Sequence, residues 1–338
     1  MSNVRDLLPA SFALVMATGI VSIALSLWGQ TGVATGMLGL NSAFYLVLLV
    51  MLALRVAFFR KQIVEDLDNP KKAPGFLTFV AGTNVLANQW LIVGKEQGTF
   101  LCLGLFGVVL WALVTYIFTF RAITSEKKVD GVFPISGVWL LLTVATQSAS
   151  VVLSNFSNEF PSIHDGAWMG AFLLFLLGAV FYILILGHVV LRIFFSPIAS
   201  SDMVPPNWII LGAAAISTMA GAALLASFSD SAASFTSPQI LKTFTMGLWA
   251  TATWWGPLLV GLGIWKHWIK KDSLRYEPQL WSLVFPLGMY SAATYKLAVS
   301  VELDWMKTIS LVVLPLAVSA WLWVFVKASK SWRRSLSL

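Results

Sequence analysis

The sequence predicts an all-α integral membrane protein of ten transmembrane helices, paired as five helical hairpins with quasi-fivefold symmetry. Three observations predict it. Hydrophobic residues make up 58% of the 338 residues and charged residues only 11%, the composition of a polytopic membrane protein. Apolar stretches of about 20 residues, long enough to cross roughly 30 Å of hydrocarbon, recur along the whole chain. A proline-led apolar segment opens at Pro9, Pro74, Pro134, Pro206 and Pro278, and each is followed by one further apolar stretch, so the repeating unit is a helical hairpin.

In chain order the spans fall near 7–28, 37–59, 75–93, 98–120, 133–153, 167–191, 207–229, 241–265, 279–300 and 307–327. No small-residue cleavage site closes the first, so it reads as a retained helix and not a secretory signal. The odd-numbered spans share a construction. Each begins with a proline, which costs little in the first turn because its missing N–H has no helical partner there. An aromatic residue follows: Phe12, Phe76, Trp139, Trp208 or Trp281. Small and polar residues come next, such as Thr18 and Gly19, Gly82 to Asn84, Thr143 and Thr146, Ser217 and Thr218, Gly288 and Ser291. The even spans are more uniformly apolar, as in LVLLVMLAL and AFLLFLLGAVFYILIL. Small residues commonly just let membrane helices pack closely. Their recurrence in all five odd spans points instead to an inner ring of odd helices lining a central pore. The loops are short and no polar linker divides the chain, so residues 1–338 read as one transmembrane domain.

Basic residues set the orientation. Eighteen of the 22 Lys and Arg residues fall at the termini and in the connections from even to odd spans, leaving Lys95, Lys242, Lys296 and Lys307 on the other side. Both termini are therefore expected in the cytoplasm, and a bacterial inner (plasma) membrane is the simplest location. The same asymmetry accounts for the net charge of +7 without a nucleic-acid partner. Cys102 is the one cysteine, and His164, His188 and His267 are scattered, so no metal site is legible. No phosphate-binding GxxxxGK[ST] loop occurs, and the odd spans offer no nucleophile and base at facing depths, so neither a cofactor nor an enzyme is expected.

The ninth span holds the sharpest constellation. In WSLVFPLGMYSAATYK, Pro286 lies inside the helix and kinks it at or before Phe285. Gly288 or Met289, Ala292 and Lys296 share the face of Phe285. If that face lines a lumen, Phe285 is a hydrophobic plug and Lys296 an anion-attracting group near the outer mouth. On the other reading Phe285 only packs beside the kink and Lys296 only snorkels. Ten residues past each proline lie Gly19, Asn84, Val144, Ile216 and Gly288, the candidate pore-lining layer. Asn84, Asn88, Gln89, Thr146 and Gln147 can coordinate permeating anions or hydrogen-bond between helices.

The opening PASFALVMATGIVSIA, the five-hairpin organisation and the run WSLVFPLGMYSAATYK resemble the tellurite-resistance and dicarboxylate-transporter family. That family includes bacterial TehA-type proteins, fungal malic acid and sulfite transporters and the plant slow anion channel. The resemblance covers essentially the whole chain. It implies a ten-helix protomer, often a homotrimer, whose pore is blocked by a phenylalanine matching Phe285 at a Phe-Pro step with Pro286. Apart from Lys296, the five odd spans contain no Asp, Glu, Lys, Arg or His, so nothing fixed there repels an anion. The expected function is passage of small inorganic or organic anions through a pore gated by Phe285. The alternative is a proton-coupled carrier of malate, another C4-dicarboxylate or sulfite.

Overall fold

The computed structural model describes residues 2–125, 136–195, 204–229, 232–272 and 277–336, and among these every regular element is helical. Ten long helices carry the fold: α1 Ala13–Leu27, α2 Thr31–Phe58, α3 Leu77–Ile92, α4 Gln97–Thr124, α5 Leu141–Glu159, α6 His164–Phe195, α7 Ile209–Ala226, α8 Pro238–Ile264, α9 Trp281–Val301 and α10 Asp304–Leu336. A short helix, Arg60–Leu67, joins α2 to α3. Each odd helix is entered through a tight 3-10 turn: Pro9–Phe12, Ala73–Phe76, Gly137–Leu140, Pro205–Trp208 and Pro278–Leu280. Proline occupies one of the first two positions in four of them. Pro134, expected to open the fifth, lies outside the described residues.

Among the described residues, seven segments are long and apolar enough to cross a membrane. Those built on α3, α8 and α9 fall short of the expected ten, because polar side chains interrupt them. The helix α3 spans only 16 residues and carries Thr83, Asn84, Asn88 and Gln89, while α9 carries Pro286, Tyr290 and Lys296. A second expectation is corrected at α5. The helix does not stop near 153 but runs on to Glu159. Nothing in that stretch breaks it until Phe160, which Pro161 disfavours from helical geometry. Glu159 thus joins Lys296 as an ionisable residue of the odd helices.

Odd and even helices are buried to very different extents. The apolar windows of Pro9–Leu27, Gly137–Glu159 and Pro205–Ala226 are 78–83% buried, against 22–33% for Thr31–Phe58, Gln97–Thr124, Pro161–Phe195 and Asp304–Ser331. The odd helices are inner and the even ones outer. Each even helix packs on the odd helix before it, and the odd helices touch in cyclic order, α1 to α3, α5, α7, α9 and back to α1.

Aromatic side chains tie each outer helix to the next inner one. On α2, Tyr45 Oη lies 2.9 Å from Thr83 Oγ1 of α3, and on α4, Trp111 Nε1 donates to Thr146 Oγ1 of α5 at 3.0 Å. Trp168 and Tyr182 of α6 donate to the Leu224 and Ile210 carbonyls of α7. Trp249 of α8 donates to Thr294 of α9, and Trp321 of α10 donates to Thr18 of α1, both at 3.0 Å. Such bonds between membrane helices contribute about 0.6 to 2 kcal/mol each. Several of the polar residues in the odd spans are therefore sockets for these latches.

Candidate functional site

The entry turns of the five odd helices converge on one cavity of about 80 Å³. Pro9, Gly75, Val138, Pro206 and Pro278 each contribute to its wall. The turns come this close because two of them carry glycine at the contact. A Cβ on Gly75 would sit 2.9 Å from the Ala10 nitrogen, and one on Gly137 would sit 2.9 Å from the Pro206 carbonyl oxygen. Farther in, the wall is made by Ala13, Met16, Leu141, Ile209 and Phe285. Met16, Leu141 and Phe285 all lie seven residues past a proline of the repeat, and Ala81 and Ala213 hold the same position on α3 and α7. Phe285 is the bulkiest of that layer.

Phe285 is 3% exposed. Its ring and the adjacent Pro286 lie against Gly212 of α7, where a Cβ would be 3.4 Å from the ring and 3.0 Å from Pro286 Cγ. Glycine there lets α7 approach the ring closely. Among the described residues no carboxylate lines this cavity, and its charged groups are Lys71 and Lys72. Lys72 Nζ bonds Asp66 Oδ1 at 2.9 Å, and the other oxygen of Asp66 accepts from the buried Arg55 Nη2 at 2.6 Å. Thr78 turns its hydroxyl onto the Gly75 carbonyl at 2.7 Å and does not point a free donor inward.

A second, larger cavity of about 460 Å³ is lined by the far ends of α3, α5, α7 and α9. Lys95, Gln97, Asn155, Asn158, Glu159 and Lys296 form its polar wall, and Met219, Ala222 and Val299 are among its apolar residues. Phe285 and Lys296 thus line different cavities, eleven residues apart on α9, a rise of roughly 16 Å.

The layer ten residues past each proline lines neither cavity. A Cβ on Gly19 would meet Val85 at 2.6 Å and the paired amides of Asn41 and Gln89, which bond each other at 2.7 Å. Asn84 donates to Ser148 Oγ of α5 at 2.9 Å, and its carbonyl oxygen rests against Gly107 of α4. Gln147 donates to the Phe175 carbonyl of α6 at 3.0 Å, against Gly178. The amides accordingly serve as bonds between helices. Val144, Ile216 and Ala292 are buried, and a Cβ on Gly288 would sit 3.0 Å from Ile20 and 3.1 Å from Val21 of α1. His188 bonds the Leu184 carbonyl of its own helix. Among the described residues no three His, Cys, Asp or Glu side chains come together as a metal site.

Sequence reasoning missed Met16, Leu141 and Ile209, together with Lys95, Asn155 and Glu159. The seventh position past each proline, aligned on Phe285, carried the signal for Met16 and Leu141. In the polar wall of the second cavity only Lys296 had a signal, because the wall is assembled from the ends of different helices.

A multi-pass helical bundle, with an apolar cavity lined by two lysines and a phenylalanine, fits a membrane protein of the anion channel and transporter class. The chain belongs to the voltage-dependent anion channel family, whose sequence profile matches residues 6–328. It is 26% identical over 310 residues to an uncharacterised transporter of Methanocaldococcus jannaschii, covering 86% of this chain and 84% of that one. A second uncharacterised transporter of that organism is 24% identical over 312 residues, covering 87% and 85%. An uncharacterised membrane protein of Mycobacterium tuberculosis is 34% identical over 145 residues, covering 43% of this chain and 73% of the relative.

Proposed function

We propose that the protein is a passive channel for small anions, with five inner helices in quasi-fivefold arrangement around a pore that Phe285 closes. The observation that carries this reading is the position of Phe285, the bulkiest of the residues seven past the repeat prolines, in the wall of a cavity to which all five entry turns contribute. A ring in an apolar neck of this kind stops ions by excluding water, since an anion cannot shed its hydration shell against Phe, Met, Leu and Ala.

The electrostatics favour anions over cations. Lys71 and Lys72 stand at the Phe285 cavity, and the N-terminal ends of five inner helices direct partial positive charge at it. No paired arginines offer a tight carboxylate clamp, so retention is weak and passage fast, which suits a channel conducting chloride, nitrate or small organic acids. On this reading the cavity opens to the cytoplasmic side of a bacterial plasma membrane, as both termini do, with Lys296 near the opposite mouth; the basic connections support this orientation.

The test is anion current under a chloride gradient in planar bilayers or liposomes, comparing wild type with Phe285→Ala. Conductance is expected to be small in the wild type and to rise about tenfold or more once the ring is removed. If both are silent while labelled malate accumulates with a proton gradient, a coupled carrier replaces the channel.

A further inference from the structure

The cavity around Lys296 carries a charge arrangement that passage of anions alone does not require. Two ammonium groups, Lys95 and Lys296, line it, and among the described residues neither has an ion-pair or hydrogen-bond partner. Among the described residues one carboxylate, Glu159 at the end of α5, lines it with them. It is half-buried and is held by Gln97, the first residue of α4, whose Nε2 donates to Glu159 Oε2 at 2.6 Å. An amide clamp of this kind fixes the position of the carboxylate without cancelling its charge. Glu159 is thus an uncompensated negative group set on the wall of a cavity that is otherwise cationic or neutral.

We propose that Glu159 is the charge-setting residue of this mouth: it opposes Lys95 and Lys296 and limits anion entry from that end, and replacing it by a neutral residue releases the limit. The inference rests on the reading of the protein as an anion channel. With Glu159 ionised the three groups sum to a single positive charge, and without it they sum to two. Charges sharing one small cavity lie within roughly a Debye length, about 8–10 Å, of each other and of the entering ion, so salt does not hide the difference.

Several described charged groups on the same side of the bundle are engaged with partners of their own. Glu96, on the same turn as Lys95, caps α4 by accepting from the Thr99 N–H. His164 and Asp165, at the start of α6, bond each other at 2.9 Å, and His164 also reaches the Ser227 carbonyl. Asp304 and Lys307, on the turn into α10, pair at 2.7 Å. The α7 side of the cavity contributes only Met219 and alanines.

The local potential is read without any transport. In a Cys102→Ser background, Asn158→Cys places a thiol on the cavity wall, and its reaction rates with a sulfonate-bearing and an ammonium-bearing methanethiosulfonate reagent are compared at pH 7. Glu159→Gln keeps the shape and an amide for Gln97, and is expected to raise the anionic-to-cationic rate ratio about threefold to tenfold, with Lys296→Gln lowering it. In parallel, chloride influx through Phe285→Ala in liposomes is expected to increase by a similar factor on adding Glu159→Gln. A rate ratio that Glu159→Gln does not move, or moves toward the cationic reagent, overturns the proposal. A ratio that moves while no variant carries chloride overturns the channel reading and leaves the charge assignment standing.

Discussion

Asn84 owes its position to the absence of one methyl group. Its amide nitrogen bonds Ser148, and its carbonyl oxygen occupies the space that a side chain on Gly107 would fill. Gly107→Ala therefore has to push Asn84 away from Ser148, trading a buried hydrogen bond for overpacking, at a cost of about 1–3 kcal/mol. Thermal unfolding in detergent should show a lowered Tm. Asn84→Ala added to Gly107→Ala should cost little more, since both changes break the same contact, whereas fully additive losses would show that the glycine and the amide are independent. The sequence displayed an asparagine in an apolar helix and left two readings open. The partners that decide between them stand 64 and 23 residues away, and no local pattern reaches that far.

At the scale of elements, the chain was more legible. The proline-led turns and the boundaries of α1, α7 and α9 follow local rules, because a proline at an entry turn acts through its own backbone. The extension of α5 to Glu159 was not legible, because the residues after 153 turn polar while remaining helical. Nor was the role of Arg60–Leu67, which reads as a charged loop. In the structure it carries Asp66 into a nearly dry contact with Arg55, whose side chain is 4% exposed, and Asp68 to within 2.7 Å of Arg121 on α4. It is a strap that fastens α2 to α3 and α4. Asp66→Ala leaves Arg55 buried without its carboxylate, which costs about 3–5 kcal/mol, and it frees Lys72 at the Phe285 cavity. A large fall in the detergent Tm is expected. A change below about 1 kcal/mol would mean that Arg55 reaches water and that the strap is ornamental.

For the whole molecule, what matters is how the ring of inner helices closes. Four of its contacts join neighbouring hairpins in the sequence, but the contact of α9 with α1 joins the two ends of the chain, reinforced by the Trp321 bond to Thr18. Closing so long a loop carries the largest entropy cost of the five contacts. At this seam Gly288 lies against Ile20 and Val21, with room for a Cβ only if they yield by a few tenths of an ångström. Gly288 is also three residues past Phe285, less than one turn along the same helix. Gly288→Ala should therefore wedge α9 away from α1 and draw Phe285 away from Met16 across the neck. The expected result is an anion leak larger than in the wild type and smaller than in Phe285→Ala, accompanied by a modest loss of stability of about 1–3 kcal/mol. Liposome flux and unfolding measured on one preparation decide the matter. A variant that loses stability but stays tight would show that Phe285 is held by α7 through Gly212 and not by closure of the ring. A variant that leaks as much as Phe285→Ala would make the seam itself the gate.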